Sequence, residues 1–352
     1  MNTTTFAIDI AKSVFQLHWV EPQSGQICRR QLTRAKVLNF FAQRQPARVA
    51  MEACGSANHW GRQLTALGHQ VLLIPPQKVR AFVTGNKDDA SDARGIWLAS
   101  THGDIRCVSV KSVEQQAQLS VHRVRAHWVK QRTASVNVLR GLLYEFGVVI
   151  PKGRAHLMPW IGEHSAALEQ QLPPAMWQLV LMQMQALRVL DQQIEAAQLQ
   201  LEQAMKASDA AIRLLKMPGI GPLGATALAA TLGDGSAWKG AREFACSLGL
   251  TPSHTGTGGK IRMGGISKRG DAYLRTLLVN GARNLARVPN PRPWIAQMLE
   301  RRPFNVVVVA VAHKLARMAW AMIAHQSHYE ERWRSVDDTS TSEAAAVGAA
   351  AV

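Results

Sequence analysis

Short blocks of apolar and β-branched residues, separated by turn residues, fill the N-terminal third of the chain. Phe6-Ala7-Ile8-Asp9-Ile10-Ala11-Lys12 opens the first block, Val14 to Val20 continues it, and Pro22 and Gly25 end it. This pattern predicts a strand, or the first two strands of a hairpin, with one carboxylate projecting from it. Gln26 to Thr33 fits a partner strand and Ala35 to Gln43 a short helix. Arg48-Val49-Ala50-Met51-Glu52-Ala53-Cys54-Gly55 repeats the design: a short apolar strand with an acid near its end, then Gly and Ser. A helical stretch from His59 to Leu67 stops at Gly68, and a buried-type strand, Val71 to Ile74, is closed by Pro75-Pro76. Strands alternating with helices predict an α/β layer with a partly parallel sheet.

The period then changes. From Val113 to Phe146 the spacing is helical, with Leu119, Val124, Trp128, Val136, Leu139, Leu143 and Phe146 as an intermittent apolar stripe. Prolines between Pro151 and Pro159 and at Pro173-Pro174 punctuate this arm. Leu187, Leu190, Ile194, Ala197, Leu201 and Ala204 then recur three and four apart, which is a heptad seam. Such a seam serves helix pairing within the chain or dimerisation, and we favour a coiled-coil arm for assembly. Tyr273 to Val288 and Val306 to Ile323 read as helices separated by a break at Pro289 to Pro293. Beyond Asp337 the Thr/Ser/Ala composition has no packing pattern and predicts disorder.

Charge changes the picture. The 352 residues carry a formal net charge of +17, far more than solubility requires. Lysines and arginines that neutralise phosphates gain affinity by counterion release, so a polyanionic partner is expected. An acidic membrane is the competing partner, but the most apolar run, Val306 to Ile323, is broken by His313, Lys314 and Arg317, so it predicts a helix inside a soluble domain. In the arm, Arg123, Arg125, Lys130, Arg132 and Arg140 decorate the polar faces with few compensating acids, which suits either a solvated face or nucleic acid. Met1 to Thr5 leads straight into a strand without a signal peptide, and Cys28, Cys54, Cys107 and Cys246 lack CxxC spacing. Cytoplasmic residence is the default expectation.

Against this basic background the acids stand out. Asp9 and Glu52 sit on apolar strands, where a carboxylate is costly unless hydrogen-bonded or bound to a cation. Gly85-Asn86-Lys87-Asp88-Asp89-Ala90-Ser91-Asp92-Ala93-Arg94 adds Asp89 and Asp92, three apart and so on one face of a helix start. Taken alone, that pair also suits a solvated turn or an N-cap. Together, Asp9, Glu52, Asp89 and Asp92 offer four hard oxygen donors suited to one or two Mg²⁺ ions and to phosphodiester chemistry.

Two later motifs extend the reading. Met217-Pro218-Gly219-Ile220-Gly221-Pro222 between two helices has the helix-hairpin-helix pattern, in which Gly219 and Gly221 permit a tight turn and expose N–H groups to a phosphate; a ligand-free helix connection has the same wording. Ser253-His254-Thr255-Gly256-Thr257-Gly258-Gly259-Lys260-Ile261-Arg262, followed by Ser267-Lys268-Arg269, mixes glycines, hydroxyls and cations without apolar periodicity. It predicts a loop that approaches a phosphate backbone, or a plain surface loop.

The wording F-A-I-D-I-A-K, A-M-E-A-C-G-S and N-K-D-D-A-S-D-A-R resembles the RNase H-like (RuvC-like) DEDD domain of the insertion-sequence transposases called the IS one-ten family. T-G-T-G-G-K resembles its IS eleven-eleven branch. The resemblance covers nearly the whole chain up to about Arg334. It implies Asp9, Glu52, Asp89 and Asp92 as the four catalytic acids, with Asp88 an extra residue at best behind them. It implies a hydroxyl nucleophile, at Thr257 where the family has serine, with Ser267 and then Ser253 as alternatives; the neighbouring cations Lys260, Arg262, Lys268 and Arg269 are candidates for binding the scissile phosphate. The expected organisation is α/β plus α: a RuvC-like domain at 1–110, a helical coiled-coil arm at 111–208, a mostly helical transposase domain with helix-hairpin-helix at 209–334, and a disordered tail at 335–352. Donor and target DNA, a structured guide (bridge) RNA, and a dimer assembling to a tetramer are implied partners. Rival readings are a metal-dependent junction resolvase without a covalent step and a non-catalytic nucleic-acid-binding protein. An actin-like sugar kinase, prompted by I-D-I-A-K, fails for want of a second glycine-rich phosphate loop.

Overall fold

The computed structural model describes residues 3–83 and 88–330; Gly85 to Lys87 and the tail at 335–352 lie outside the described residues. The chain divides into two compact units, 1–117 and 118–352.

The first unit is built on β1 (Thr5–Ile10), β2 (Val14–Val20) and β3 (Ile27–Thr33), an antiparallel meander. After the short helix α1 (Val37–Ala42), β4 (Arg48–Glu52) returns parallel to β1. Helix α2 (Ala57–Ala66) then leads to β5 (Gln70–Ile74), parallel to β4. The strand order is β3-β2-β1-β4-β5, a mixed sheet consistent with an RNase H-like domain. One turn of helix, α3 (Pro76–Val79), precedes α4 (Asp89–Thr101).

Strand alternation sorts the two faces. Phe6, Ile8, Phe15, Leu17, Val49 and Met51 pack with Phe41, Trp60 and Leu64 on one side. Ala7 and Ala50, both fully buried, pack with Ile74, Ile96 and Ala99 on the other, beneath α4. Two alanines on adjacent central strands let this helix lie close to the sheet.

Helix α5 (Val113–Glu145) runs from the end of the first unit into the second. There α6 (Arg154–Glu163), α7 (Ser165–Gln171) and the long α8 (Pro174–Lys206) follow. Val136, Leu139 and Leu143 of α5 share a core with Val180, Met184 and Leu187 of α8. Pro159, expected to punctuate the arm, lies inside α6. Of the heptad positions, Leu187, Ile194, Ala197 and Leu201 are buried within this single chain.

A separate core follows, built by α9 (Asp209–Leu215), α10 (Pro222–Leu232), α11 (Ala241–Ser247), α12 (Ala272–Arg287), α13 (Pro293–Arg301) and α14 (Phe304–Ala324). Helix α14 is long and apolar enough to cross a membrane, but it buries Val307, Val308, Val311, Leu315 and Ile323 in this core. Helix α13 begins at Pro293, the last residue of the expected break, and places Ile295 in the same core.

The stretch from Pro252 to Ile266 corrects an expectation. It is a two-stranded hairpin, β6 (Pro252–Thr257) and β7 (Lys260–Ile266), where the composition predicts a loop. The cause is the Gly258-Gly259 turn, with φ of 56° and 79°, the left-handed backbone that a two-residue hairpin requires.

Candidate active site

Asp9 follows Ala7 on β1 and Glu52 follows Ala50 on β4, so strand alternation turns both carboxylates to the face that α4 covers. The strands are parallel neighbours with Ile8 opposite Met51, which brings their C-terminal ends to one edge. Helix α4 begins there. Its N-cap is Asp88, whose carboxylate accepts from the Ser91 backbone N–H at 2.8 Å and the Ser91 hydroxyl at 2.6 Å. These bonds hold the exposed Asp88 carboxyl below the usual range. Asp88 is therefore the residue that starts the helix, and Asp89 and Asp92 occupy its first turn, where the helix dipole favours negative charge.

Carboxylate oxygens of Asp9, Asp89 and Asp92 lie within 4.8 Å of one another. Glu52 stands outside this closest group but is coupled to it. Burial first and then the Asp92, Asp89 and Glu52 carboxylates push the Asp9 pKa up to about 6. Burial and Asp92 raise Glu52. Among the described residues no lysine or arginine forms an ion pair with these acids. Like charges brought together without a counter-ion, with only hard oxygen donors, fit a divalent cation. Burial first, and then the Glu52 and Asp9 charges, raise the pKa of the nearby Cys54 thiol.

In the second unit the hairpin presents Thr257 beside the Gly258-Gly259 turn, exposed and opposite Lys260. Directly paired residues share a face, so Thr255, Thr257, Lys260 and Arg262 lie together. The two other hydroxyls differ. Ser253 donates to the Gly265 carbonyl across the hairpin at 3.0 Å. Ser267 lies at the hairpin base, where its N–H donates to the Thr251 carbonyl. Lys268 has φ of 53°, and Arg269 lies against Gly249, where a Cβ would sit 2.3 Å from the Arg269 carbonyl oxygen.

The P-G-I-G turn joins α9 to α10. Gly219, at φ 83°, packs so closely on α12 that a Cβ on Gly281 would come within 1.9 Å of its carbonyl oxygen. Gly221 is the N-cap of α10 and has open space around it. A cavity of about 350 Å³ opens beside this turn, lined in part by Gln198, Asn280 and Asn284.

The arm cations divide. Arg123 and Lys130 are exposed. Arg125 donates to Gln198 at 3.2 Å, and Arg132 pairs with Asp191 at 2.6 Å while Arg154 reaches the same carboxylate. Arg140 donates to the carbonyls of Ile150, Pro151 and Gly153, closing the turn after α5.

Two family models match this chain. One, described as a transposase of the IS116/IS110/IS902 family, covers residues 211–297; the other, a DEDD transposase model named for IS110, covers residues 6–147. A probable family 20 transposase of Pseudomonas aeruginosa is 44% identical over 335 residues, which span 94% of this chain and 99% of that protein. The chain belongs to the IS110 family of insertion-sequence transposases. The transposase of insertion sequence IS1328 from Yersinia enterocolitica is 38% identical over 91% of this chain and 97% of its own. That of IS1111A from Coxiella burnetii is 36% identical over 92% and 90%.

One group in this IS110-family transposase escapes sequence reading. His122 of α5 is buried between the Tyr273 hydroxyl, 3.0 Å from Nδ1, and the Thr226 hydroxyl, 3.1 Å from Nε2. Burial first, then Arg125, lowers its pKa to about 4, so it is a neutral strut joining α5, α10 and α12. A histidine within a basic helical run carries no signal of this; only the fold brings its partners near.

Proposed function

We propose that this transposase cuts and rejoins DNA strands with Mg²⁺ held by Asp9, Glu52, Asp89 and Asp92, and with Thr257 as nucleophile. The observation that carries the proposal is the convergence of Asp9, Asp89 and Asp92 within 4.8 Å, with Asp9 pushed up to about 6. Bound there, the cation supplies charge stabilisation at the phosphoryl oxygens and the leaving oxygen. Glu52 completes the set from the adjacent strand end. Lys260 and Arg262, on the Thr257 face of the hairpin, hold the phosphate by charge-assisted hydrogen bonds. Lys268 and Arg269 at the hairpin base extend that contact.

In the chemical step the Thr257 Oγ–P bond forms as one P–O bond of the DNA strand breaks. The threonine hydroxyl loses its proton and the departing strand oxygen gains one, so atoms balance and the phosphodiester energy is kept for rejoining. The step requires the acidic site and the hairpin to meet at one phosphate, within a chain or between chains. The family likeness implies guidance by a bridge RNA and a tetramer; in this reading the heptad seam of the 111–208 arm serves dimerisation on the way to it, and bacterial cytoplasmic residence is the default. Gly219 and Gly221 of a helix-hairpin-helix, with Arg123, Arg125, Lys130 and Arg132 of the arm, give further nucleic-acid contacts in this reading. Arg123 and Lys130 are the freer pair.

The test is strand cleavage by Thr257→Ala and Asp9→Ala proteins in Mg²⁺. Loss in both, with a covalent protein–DNA adduct only in the parent, is the expected result. Full cleavage by Thr257→Ala would replace the covalent step by a water-using resolvase mechanism. Sequencing of copurifying RNA tests guidance.

A further inference from the structure

The hairpin has a second face, and its chemistry is unlike the first. His254 pairs with Met263 and Gly256 with Ile261, so these four residues share the side opposite Thr257, Lys260 and Arg262. Ile261 and Met263 are 68% and 67% exposed. Gly256 gives Ile261 no cross-strand neighbour beyond backbone, so that side chain stands clear of the ribbon. Only Ile266, at the base, is even partly buried along both strands. An isolated two-stranded ribbon with two bare aliphatic side chains is a marginal structure in water, and such a face suits a partner that covers it.

Charge identifies that partner. No aspartate or glutamate lies between Glu243 and Asp271, while Lys260, Arg262, Lys268 and Arg269 fall within that interval. The apolar residues Ile261 and Met263 alternate one for one with the cations Lys260 and Arg262 along β7. A β-ribbon fits a B-form groove, with cations reaching phosphates and the other face meeting the bases. Proteins that bind the minor groove frequently insert apolar side chains such as Ile and Met between base steps and unstack them.

We propose that Ile261 and Met263 form a wedge that unstacks duplex DNA within a few base pairs of the phosphate held on the Thr257 face. The proposal rests on the hairpin's being the DNA-facing element of the transposase, and it adds a strand-opening role to that element. Unstacking frees the strand at the cut site for exchange, and the wedge acts before any bond breaks.

The test uses an alternating thymine–adenine duplex with 2-aminopurine at the adenines of one strand, so that every binding register samples a flexible TA step. Binding is followed by anisotropy and unstacking by 2-aminopurine emission. The parent protein gives a several-fold rise in emission on binding. The double variant Ile261→Ala, Met263→Ala still binds but gives no rise. Thr257→Ala gives the parental rise, which separates failure of the wedge from failure of the covalent mechanism. Binding by the parent without a rise, or an unchanged rise in the double variant, overturns the proposal. So does a change in sedimentation mass of the DNA-free protein on making the double variant, since a second copy of the chain would then cover this face.

Discussion

Replacing Asp92 by asparagine should make the metal-free protein more stable and the metal response vanish. Asp92 is the carboxylate that raises both Asp9 and Glu52. At the 4.8 Å limit of the cluster, two unit charges repel by roughly 1 kcal/mol in water and about 3.5 kcal/mol at an effective dielectric near 20. The partly exposed side chains and salt screening favour the lower end, so relief of about 1–2 kcal/mol is expected. The sign follows from Asp9. Its folded pKa of about 6 lies above the ordinary 3.8, so its contribution is fully present below pH 3.8 and is lost as pH rises through 6. At pH 7.5 without metal the cluster therefore destabilises the first unit, and Asp92→Asn removes part of that cost. Thermal melts of the full chain at pH 7.5 should show the first unit's transition rising by about 4 °C per kcal/mol. Added Mg²⁺ should raise the parental transition and leave the variant's unchanged. A variant that melts lower than the parent without metal, or that keeps the Mg²⁺ response, would refute the like-charge account.

Apparent Mg²⁺ affinity, measured by calorimetry, should fall steadily as pH drops below about 6, because the cation competes with the Asp9 proton. His122, neutral in the fold with a pKa of about 4 against an ordinary 6.5, should cost the second unit up to about 3 kcal/mol between pH 6.5 and 4; urea melts of His122→Ala should be less stable at pH 7 and flatter across that window. Gly281→Ala places a methyl 1.9 Å from the Gly219 carbonyl oxygen and should lower stability by about 2 kcal/mol or more, read as a shifted denaturation midpoint. Asp88→Ala should speed hydrogen exchange at Ser91, whose N–H it now caps, and weaken Mg²⁺ binding by loosening the turn that carries Asp89 and Asp92.

Much of the first unit is legible because its signals are local. Phe6 to Val20 and Val71 to Ile74 combine β-branched and aromatic residues with clear stops, and the structure forms β1, β2 and β5 there. The acids could be named as candidates because each interrupts an apolar or basic context. The hairpin is less legible. Its strands alternate hydroxyls, glycines and cations, so no apolar period marks them, and only the Gly258-Gly259 pair carries the turn signal. The stripe on α5 is also redrawn by tertiary packing: Val124 and Phe146 are exposed while the polar His122 is buried. Pro159 inside α6 shows that a proline need not end a helix whose other side chains, Leu157 and Ile161, are fully buried.

The acidic site follows from topology more than from any local motif. Asp9 and Glu52 are far apart in sequence, and each lies at the C-terminal end of its strand. Antiparallel pairing of β1 and β4 would place those ends at opposite edges of the sheet. The parallel pairing, made possible by the crossover through α1, places them side by side. Helix α4 must then bring its N-terminus to the same edge, and it reaches the sheet because Ala7 and Ala50 leave room for Ile96 and Ala99. Asp88 fixes where that helix starts, which sets Asp89 and Asp92 in its first turn rather than further along. A D-x-x-D pair elsewhere on a helix would remain a solvated face. Here the strand order, two alanines and one capping residue make it part of a converging acidic cluster, and the cluster's mutual repulsion is the physical trace of that convergence.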